Sequence, residues 1–261
     1  MRKHERLHVI FELLSQGGRL DIDDLAVKLS ASAATIRRDL DHLAQQQLLT
    51  RTHGGAIANS TSYDLPLRYK TARHAEEKQR IGRAAAALVP TGSVVGLNGG
   101  TTATEVARAL ATRADLNAAE SGTQLTLVTN ALNIASELTV RKHIRIVVTG
   151  GVARPQSYEL AGPFGSAVLE QLSLDTVILG VDAIDVALGA SAHNEGEATI
   201  NRLMASRAEQ VVVVADSSKL KRRAFALICR LSAVDVLVTD SDASPETVAE
   251  FEMSGVKVIR A

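Results

Sequence analysis

Ser32-Ala33-Ala34-Thr35-Ile36-Arg37-Arg38-Asp39-Leu40 is a stretch with two unlike faces. Ala33, Ile36, Leu40 and, just beyond it, Leu43 recur at helical spacing and form an apolar side. At about 100° per residue, Ala34, Thr35, Arg38 and Asp41 fall opposite, with Arg37 on the flank. Ser32 stands just before the first turn, where a hydroxyl can accept a bond from an N–H that has no partner within the helix. Taken alone, Arg-Arg-Asp also suits a solvated face with i,i+3 and i,i+4 pairing. The neighbouring segments decide between the two readings.

Upstream, residues 21–29 carry an Asp cap, an acidic first turn and apolar Ile22, Leu25 and Leu29, which predicts a short helix joined to the next by a turn at Ser30-Ala31. Before it, Leu7, Ile10, Phe11 and Leu14 form the apolar stripe of a first helix ended by Gly17-Gly18. Helix, short helix, tight turn and arginine-bearing helix is the order of a helix-turn-helix. Downstream, residues 48–57 are two β-prone runs around Gly54-Gly55, the pattern of a hairpin or wing. Arg51 and His53 sit where such a wing meets the sugar-phosphate backbone of DNA.

With 261 residues, 46% of them hydrophobic, the chain can bury a sizeable core and fill one large or two ordinary domains. A single cysteine, Cys229, excludes an intramolecular disulfide. With no apolar leader at the N-terminus and no run of about 18 apolar residues, the expectation is a cytoplasmic protein without a membrane span. Lys plus Arg equals Asp plus Glu at 29 each, so any basic face must be local rather than global. Aromatics at 3% and no Trp argue against stacking platforms for single strands, which leaves duplex DNA.

Residues 59–73 are polar and aperiodic and are read as a linker between a DNA-binding domain at 1–58 and a larger domain at 74–261. In the larger domain, β-rich runs at 94–97, 125–129, 144–149, 176–181, 211–215, 234–239 and 256–259 alternate with helical patterns at 74–89, 104–111, 131–138, 165–172, 196–208 and 245–254. A loop insertion is expected at 117–122. Most of the β-rich runs are continuously apolar, as strands covered on both faces must be. The fold class is therefore α/β, a Rossmann-like, mostly parallel sheet behind a small winged helix-turn-helix.

In such a sheet the ligand crevice lies beyond the carboxyl ends of the strands. There the sequence places Asn98, Gly99, Gly100, Thr101 and Thr102 opening a helix, whose free N–H groups favour a phosphate. Thr129-Asn130, Gly150-Gly151, Asp182, Glu195 and the run from Asp216 to Lys219 follow the later strands. These groups describe a pocket for a small anionic, hydroxyl-rich molecule. No metal site, cofactor or catalytic residue is expected.

The pieces TIRRDL at 35–40 and RTHGGA at 51–56, in that order and spacing, resemble the N-terminal signature of the DeoR family of transcription regulators. GGTT at 99–102, VTN at 128–130, TGG at 149–151, LGVDAI at 179–184, HNEGEA at 193–198 and VVADSSK at 213–219 resemble its sensor domain, so the likeness covers nearly the whole chain. Ala183 stands where the family has glycine. The resemblance implies operator binding with Ser32, Thr35, Arg37 and Arg38 as the contact positions, and the wing residues Arg51, His53 and Gly54 are expected to join them on the DNA. For the sensor it implies a fold similar to ribose-5-phosphate isomerase and a phosphorylated sugar or amino sugar as effector. Gly99 to Thr102 would hold the phosphate, Asp182, Glu195 and Asp216 would accept sugar hydroxyls, and Lys219 would be a nearby cation.

The implied function is a repressor of a carbohydrate-utilisation operon, acting as a homodimer or homotetramer because one helix and wing cover only a half-site. The alternative is a sugar-phosphate isomerase or amino-sugar phosphate deaminase with Asp182 or Glu195 as general base and Lys219 stabilising an enolate. A nucleotide-binding module ranks last, since Gly-Gly-Thr-Thr fits neither dinucleotide nor Walker-A spacing. The N-terminal module, which no isomerase needs, favours the regulator.

Overall fold

The computed structural model describes residues 3–45, 48–58, 67, 74–117 and 124–261. The chain forms two compact units, Met1–Arg73 and His74–Ala261. The linker expected at 59–73 lies outside the described residues except for Leu67, and the loop insertion expected at 117–122 does so except for Asn117. No helix among the described residues is long and apolar enough to cross a membrane.

The first unit runs α1 (Lys3–Gly17), β1 (Arg19–Asp21), α2 (Ile22–Lys28), α3 (Ala33–Gln45), β2 (Leu49–Thr52) and β3 (Gly55–Ala58). Asp21 caps α2 by accepting from Asp23 N–H at 2.8 Å and Asp24 N–H at 3.4 Å, as its position before an acidic turn predicts. Leu7, Ile10 and Leu14 of α1, Ile22 and Leu25 of α2, Leu29 just beyond it and Ile36, Leu40 and Leu43 of α3 close one core. Two expectations need correcting. The wing has a third strand, β1, which pairs antiparallel with β3. Its turn is His53-Gly54 rather than Gly54-Gly55, with Gly54 at φ +86° and Gly55 already in β3. A strand of three residues leaves too short a pattern to show in the sequence.

The second unit is built on a seven-stranded, wholly parallel sheet. Its strands are β4 (Val94–Leu97), β5 (Leu125–Thr129), β6 (Ile144–Val148), β9 (Leu174–Gly180), β12 (Ala208–Val214), β14 (Val236–Thr239) and β15 (Lys257–Arg260). In space they lie in the order β15-β14-β12-β9-β4-β5-β6. Successive side chains of a strand point to opposite faces, and here the faces hold separate cores. Val211 and Val213 pack with Ile200, Met204 and Phe251 on one side, while Val212 and Val214 pack with Ile81, Val106 and Leu110 on the other. That double burial is why the β-rich runs read as continuous apolar stretches.

The helices are α4 (Ala75–Ala86), α5 (Thr101–Thr112), α6 (Ala114–Asn117), α7 (Leu132–Leu138), α8 (Pro163–Leu169), α9 (Glu195–Ser206) and α10 (Pro245–Met253). The sequence patterns located the main ones. They did not show the hairpin of β7 (Val152–Ala153) with β8 (Leu160–Ala161), nor the small sheet of β10 (Ala183–Asp185), β11 (Gly189–Ala192) and β13 (Ala226–Cys229). Those strands have two to four residues and are rich in Ala and Ser, so neither length nor side-chain type marks them. Cys229 is buried with a free thiol.

Candidate functional site

In the first unit the candidate surface is the outer side of α3 together with the wing turn. Ser32 Oγ accepts from Thr35 N–H at 3.2 Å and lies 2.9 Å from Thr35 Oγ1, so the expected cap is present and joins the two hydroxyls. Arg37 and Arg38 are exposed while Ile36, Leu40 and Leu43 are buried. Two guanidiniums therefore project from a helix anchored on its other side, the arrangement that lets a fork reach base edges in a major groove. His53 and Gly54 form the exposed tip of the wing. Arg51 is held: its Nε donates to Asp41 at 2.9 Å and its Nη1 to the Gly55 carbonyl at 2.5 Å, tying α3 to the hairpin.

One member of the Arg-Arg-Asp run belongs to the interior. Asp39 is 3% exposed and accepts from Arg6 Nε at 2.5 Å, an ion pair between α3 and α1. The bond to Asp39 and its charge hold the Arg6 pKa above the ordinary arginine value, although burial opposes this. The signal for Asp39 was its place between Ile36 and Leu43 on the helix wheel. Its partner stands 33 residues away, where periodicity cannot reach.

In the second unit β4 and β9 are neighbours although β5 and β6 lie to one side of them and β12, β14 and β15 to the other. This is the switch point at which a parallel sheet opens a crevice at its carboxyl edge. The Asn98–Thr102 corner and Val181-Asp182 flank it, with Thr129-Asn130 and Thr149-Gly150-Gly151 beyond β5 and β6, and Asp216 and Lys219 beyond β12. The structure thus gathers the expected residues along one edge of the sheet.

Several of these residues also brace the edge itself. Asn98 Oδ1 accepts from Gly180 N–H at 2.7 Å and its Nδ2 donates to Gly180 O at 2.8 Å, so its amide braces β4 against β9. Thr129 Oγ1 accepts from Ala131 N–H at 3.0 Å, and Asp182 Oδ2 from His193 N–H at 2.9 Å. Lys219 Nζ donates to Val181 O at 2.6 Å, bringing the β12 and β9 tips together. Asp216 is buried and takes a bond from Ser218 Oγ. Burial alone would raise its pKa, but Lys219, that hydroxyl, Lys78 and His74 hold it below the ordinary value.

The helix that opens the corner is left uncapped. Gly100, at φ +108°, is the N-cap of α5 and supplies no side-chain bond to the first turn. Gly100 and Thr101 are partly open to solvent, while Thr102 is 1% exposed and its Oγ1 has no hydrogen-bond partner. Free N–H groups, the positive end of a helix dipole and an unmatched hydroxyl meet there.

Two carboxylates at this edge escaped the sequence reading. Glu195 turns outward as the first residue of α9, while Glu197 is 7% exposed and pairs with Arg154 at 3.0 Å. Glu159, on the link into β8, is 4% exposed and accepts from Asn130 Nδ2 at 3.0 Å. It lies so close to Gly99 that a Cβ there would sit 2.4 Å from Glu159 Cγ and 2.7 Å from Oε1. Only glycine fits beside it. The Glu197 signal was the Glu-x-Glu spacing over an N-terminal turn, but Glu159 stands in a segment with no periodicity.

A helix-turn-helix with a wing, followed by a parallel α/β unit with polar strand tips, defines a class of two-domain transcription regulators. The DeoR-like helix-turn-helix domain matches residues 6–62 and the DeoR C terminal sensor domain residues 73–241. The chain is 34% identical over 258 residues to the putative aga operon transcriptional repressor of Escherichia coli O157:H7, covering 98% of this chain and 93% of that protein. It is 34% identical over 241 residues to the glycerol-3-phosphate regulon repressor of Escherichia coli K12, covering 92% of each. The chain belongs to the DeoR family and is a DeoR-type transcriptional regulator. Among solved structures it is similar to ribose 5-phosphate isomerase A of Methanocaldococcus jannaschii, 20% identical over 57% of this chain and 56% of that one with a TM-score of 0.42, too slight a likeness to bear on function.

Proposed function

We propose that this chain represses carbohydrate-utilisation genes, gripping operator DNA through α3 and the wing and changing its grip when a phosphorylated sugar or amino sugar occupies the strand tips. The observation that carries the effector half is the uncapped α5 N-terminus beside the buried, unmatched Thr102 hydroxyl. A phosphate would take up the free N–H groups and the hydroxyl together. Asp182, Asp216 and Lys219, with Glu197 in the inward place expected of Glu195, supply acceptors and a cation for a polyol. The relatives named for the aga operon and the glycerol-3-phosphate regulon support the repressor reading. The site works as a switch rather than a catalyst, so no steady turnover of sugar phosphates is expected. Coupling requires that the effector bind the DNA-competent and DNA-incompetent states unequally.

Two experiments test the two halves. Arg38→Ala should weaken binding to the operator by about 1–3 kcal/mol while leaving binding to random duplex nearly unchanged, as a lost bidentate base contact does. Gel-shift titrations of both duplexes read this, and the same gels should show two or more chains per operator. Equal losses on both duplexes would move Arg38 to the phosphate backbone. Thr102→Val should hold or raise the melting temperature of the free protein, because it removes a buried hydroxyl that has no partner. The same change should blunt the release of operator by sugar phosphates. An undiminished response would take Thr102 out of the site.

A further inference from the structure

Glu159 is the strangest side chain at the strand tips. It is an almost wholly buried carboxyl, packed against the first glycine of the corner on which the proposed phosphate would sit. The bonds its carboxyl receives come from Asn130 Nδ2 and the Gly99 N–H, and neither donor is charged. The charged groups that face it are acidic: Glu197 from α9 and Asp182 from the tip of β9. Arg154, the cation nearby in the chain, pairs with Glu197, and the His193 N–H serves Asp182. An anion brought to this corner would meet the Glu159 carboxyl beside Gly99, a group already under the charges of Glu197 and Asp182.

We infer that Glu159 enters effector binding as a neutral acid, so that its proton is what allows an anionic group to settle at Gly99 to Thr102. The inference rests on the proposed phosphate site. Burial first, then Glu197 and Asp182, push the Glu159 carboxyl up to about 8, against the pull of the Asn130 and Gly99 bonds. Below that pH the corner presents free N–H groups and a neutral side chain. Above it, an ionised Glu159 opposes the incoming dianion and binding must recruit a proton from solvent. Glu159 is thus a positioning and selectivity residue, and it makes the sensor's affinity depend on pH in a range where a phosphate monoester, with a second pKa of about 6, no longer titrates.

The test uses the full chain and Glu159→Gln, which keeps the shape and cannot ionise. Ribose 5-phosphate, glucose 6-phosphate, glycerol 3-phosphate and inorganic phosphate are first screened by thermal shift at pH 7.5. The strongest sugar-phosphate binder is then titrated calorimetrically from pH 7.5 to 9.5 in two buffers of different ionisation heat. Wild-type affinity should fall up to about tenfold per pH unit above 8, with nearly one proton taken up per ligand at pH 9. Glu159→Gln should give a flat profile and no proton uptake. A flat wild-type profile, or a slope that survives in Glu159→Gln, overturns the inference while leaving the phosphate site standing. If no probe binds either protein, the phosphate site itself fails and the inference with it.

A ligand-free measurement gives a second check. Between the unfolded value of about 4.3 and about 8 in the native state, the folded chain keeps a proton that the unfolded chain has lost. Stability must therefore fall as pH rises across that window. The melting temperature of wild type should drop relative to Glu159→Gln over the same range. Parallel curves would show that Glu159 is ionised in the native protein and overturn the inference.

Discussion

Replacing Arg6 with alanine is expected to destabilise the N-terminal unit by about 3–5 kcal/mol, more than any change to the exposed arginines of α3. The loss does not come from the attraction of the pair itself. Removing Arg6 leaves Asp39 as a carboxylate inside the core with its side chain only 4% exposed, and a charge stranded there has lost its hydration without a partner in exchange. Hydrogen exchange of residues 33–45 in the full chain should rise sharply, and operator binding should disappear although Arg6 is outside the arginine-bearing helix. The control is the double change Arg6→Met with Asp39→Leu. It removes both charges, keeps the volume apolar and should recover most of the stability. A loss below about 1 kcal/mol for Arg6→Ala would mean that water reaches Asp39 and the pair is not the anchor of α3.

The second large effect is expected at the wing. A Cβ on Gly55 would lie 1.8 Å from Leu20 O and 2.9 Å from Leu20 C, both backbone atoms of β1. No rotamer can relieve that contact, so Gly55→Ala must pry β1 from β3, at about 3 kcal/mol or more, the upper end of overpacking. Gly54 next to it is the informative comparison. It needs φ +86°, but a Cβ there meets nothing closer than Asp21 Oδ2 at 3.8 Å. Gly54→Ala should therefore lose only the left-handed conformer penalty of about 1–2 kcal/mol. Urea unfolding of the two variants, followed by circular dichroism, ranks them. Equal stability of Gly55→Ala and wild type would show that the three-stranded wing is not paired as described.

These two positions also mark where the sequence stops being legible. The parallel strands could be read because burial on both faces turns them into apolar runs such as Val211 to Val214. The helices between them could be read because each shows one face to a core. For Asp39 the helix wheel shows the inward place, but the cation that lets a carboxylate stay there does not show, because Arg6 is 33 residues away in the chain. The third wing strand and the β10, β11 and β13 sheet are too short to establish a period. At the strand tips the polar residues that follow each apolar run are visible in the sequence, and the fold sets them along one edge of the sheet. The sequence could not tell Asn98, which clamps Gly180, from Thr102, whose hydroxyl has no match, because both are small polar residues after one strand. Glu159 reaches the edge only through the fold of the β7–β8 hairpin, which no local pattern announces.

The place where β4 meets β9 has a mechanical meaning. Three strands of the sheet come from the early part of the domain and four from the late part, and these two strands form the seam. On the proposed function, a small molecule lodged at the upper end of that seam would act as a rivet, and its grip would be felt as resistance of the whole sheet to being pulled in two rather than as stiffening of a single loop.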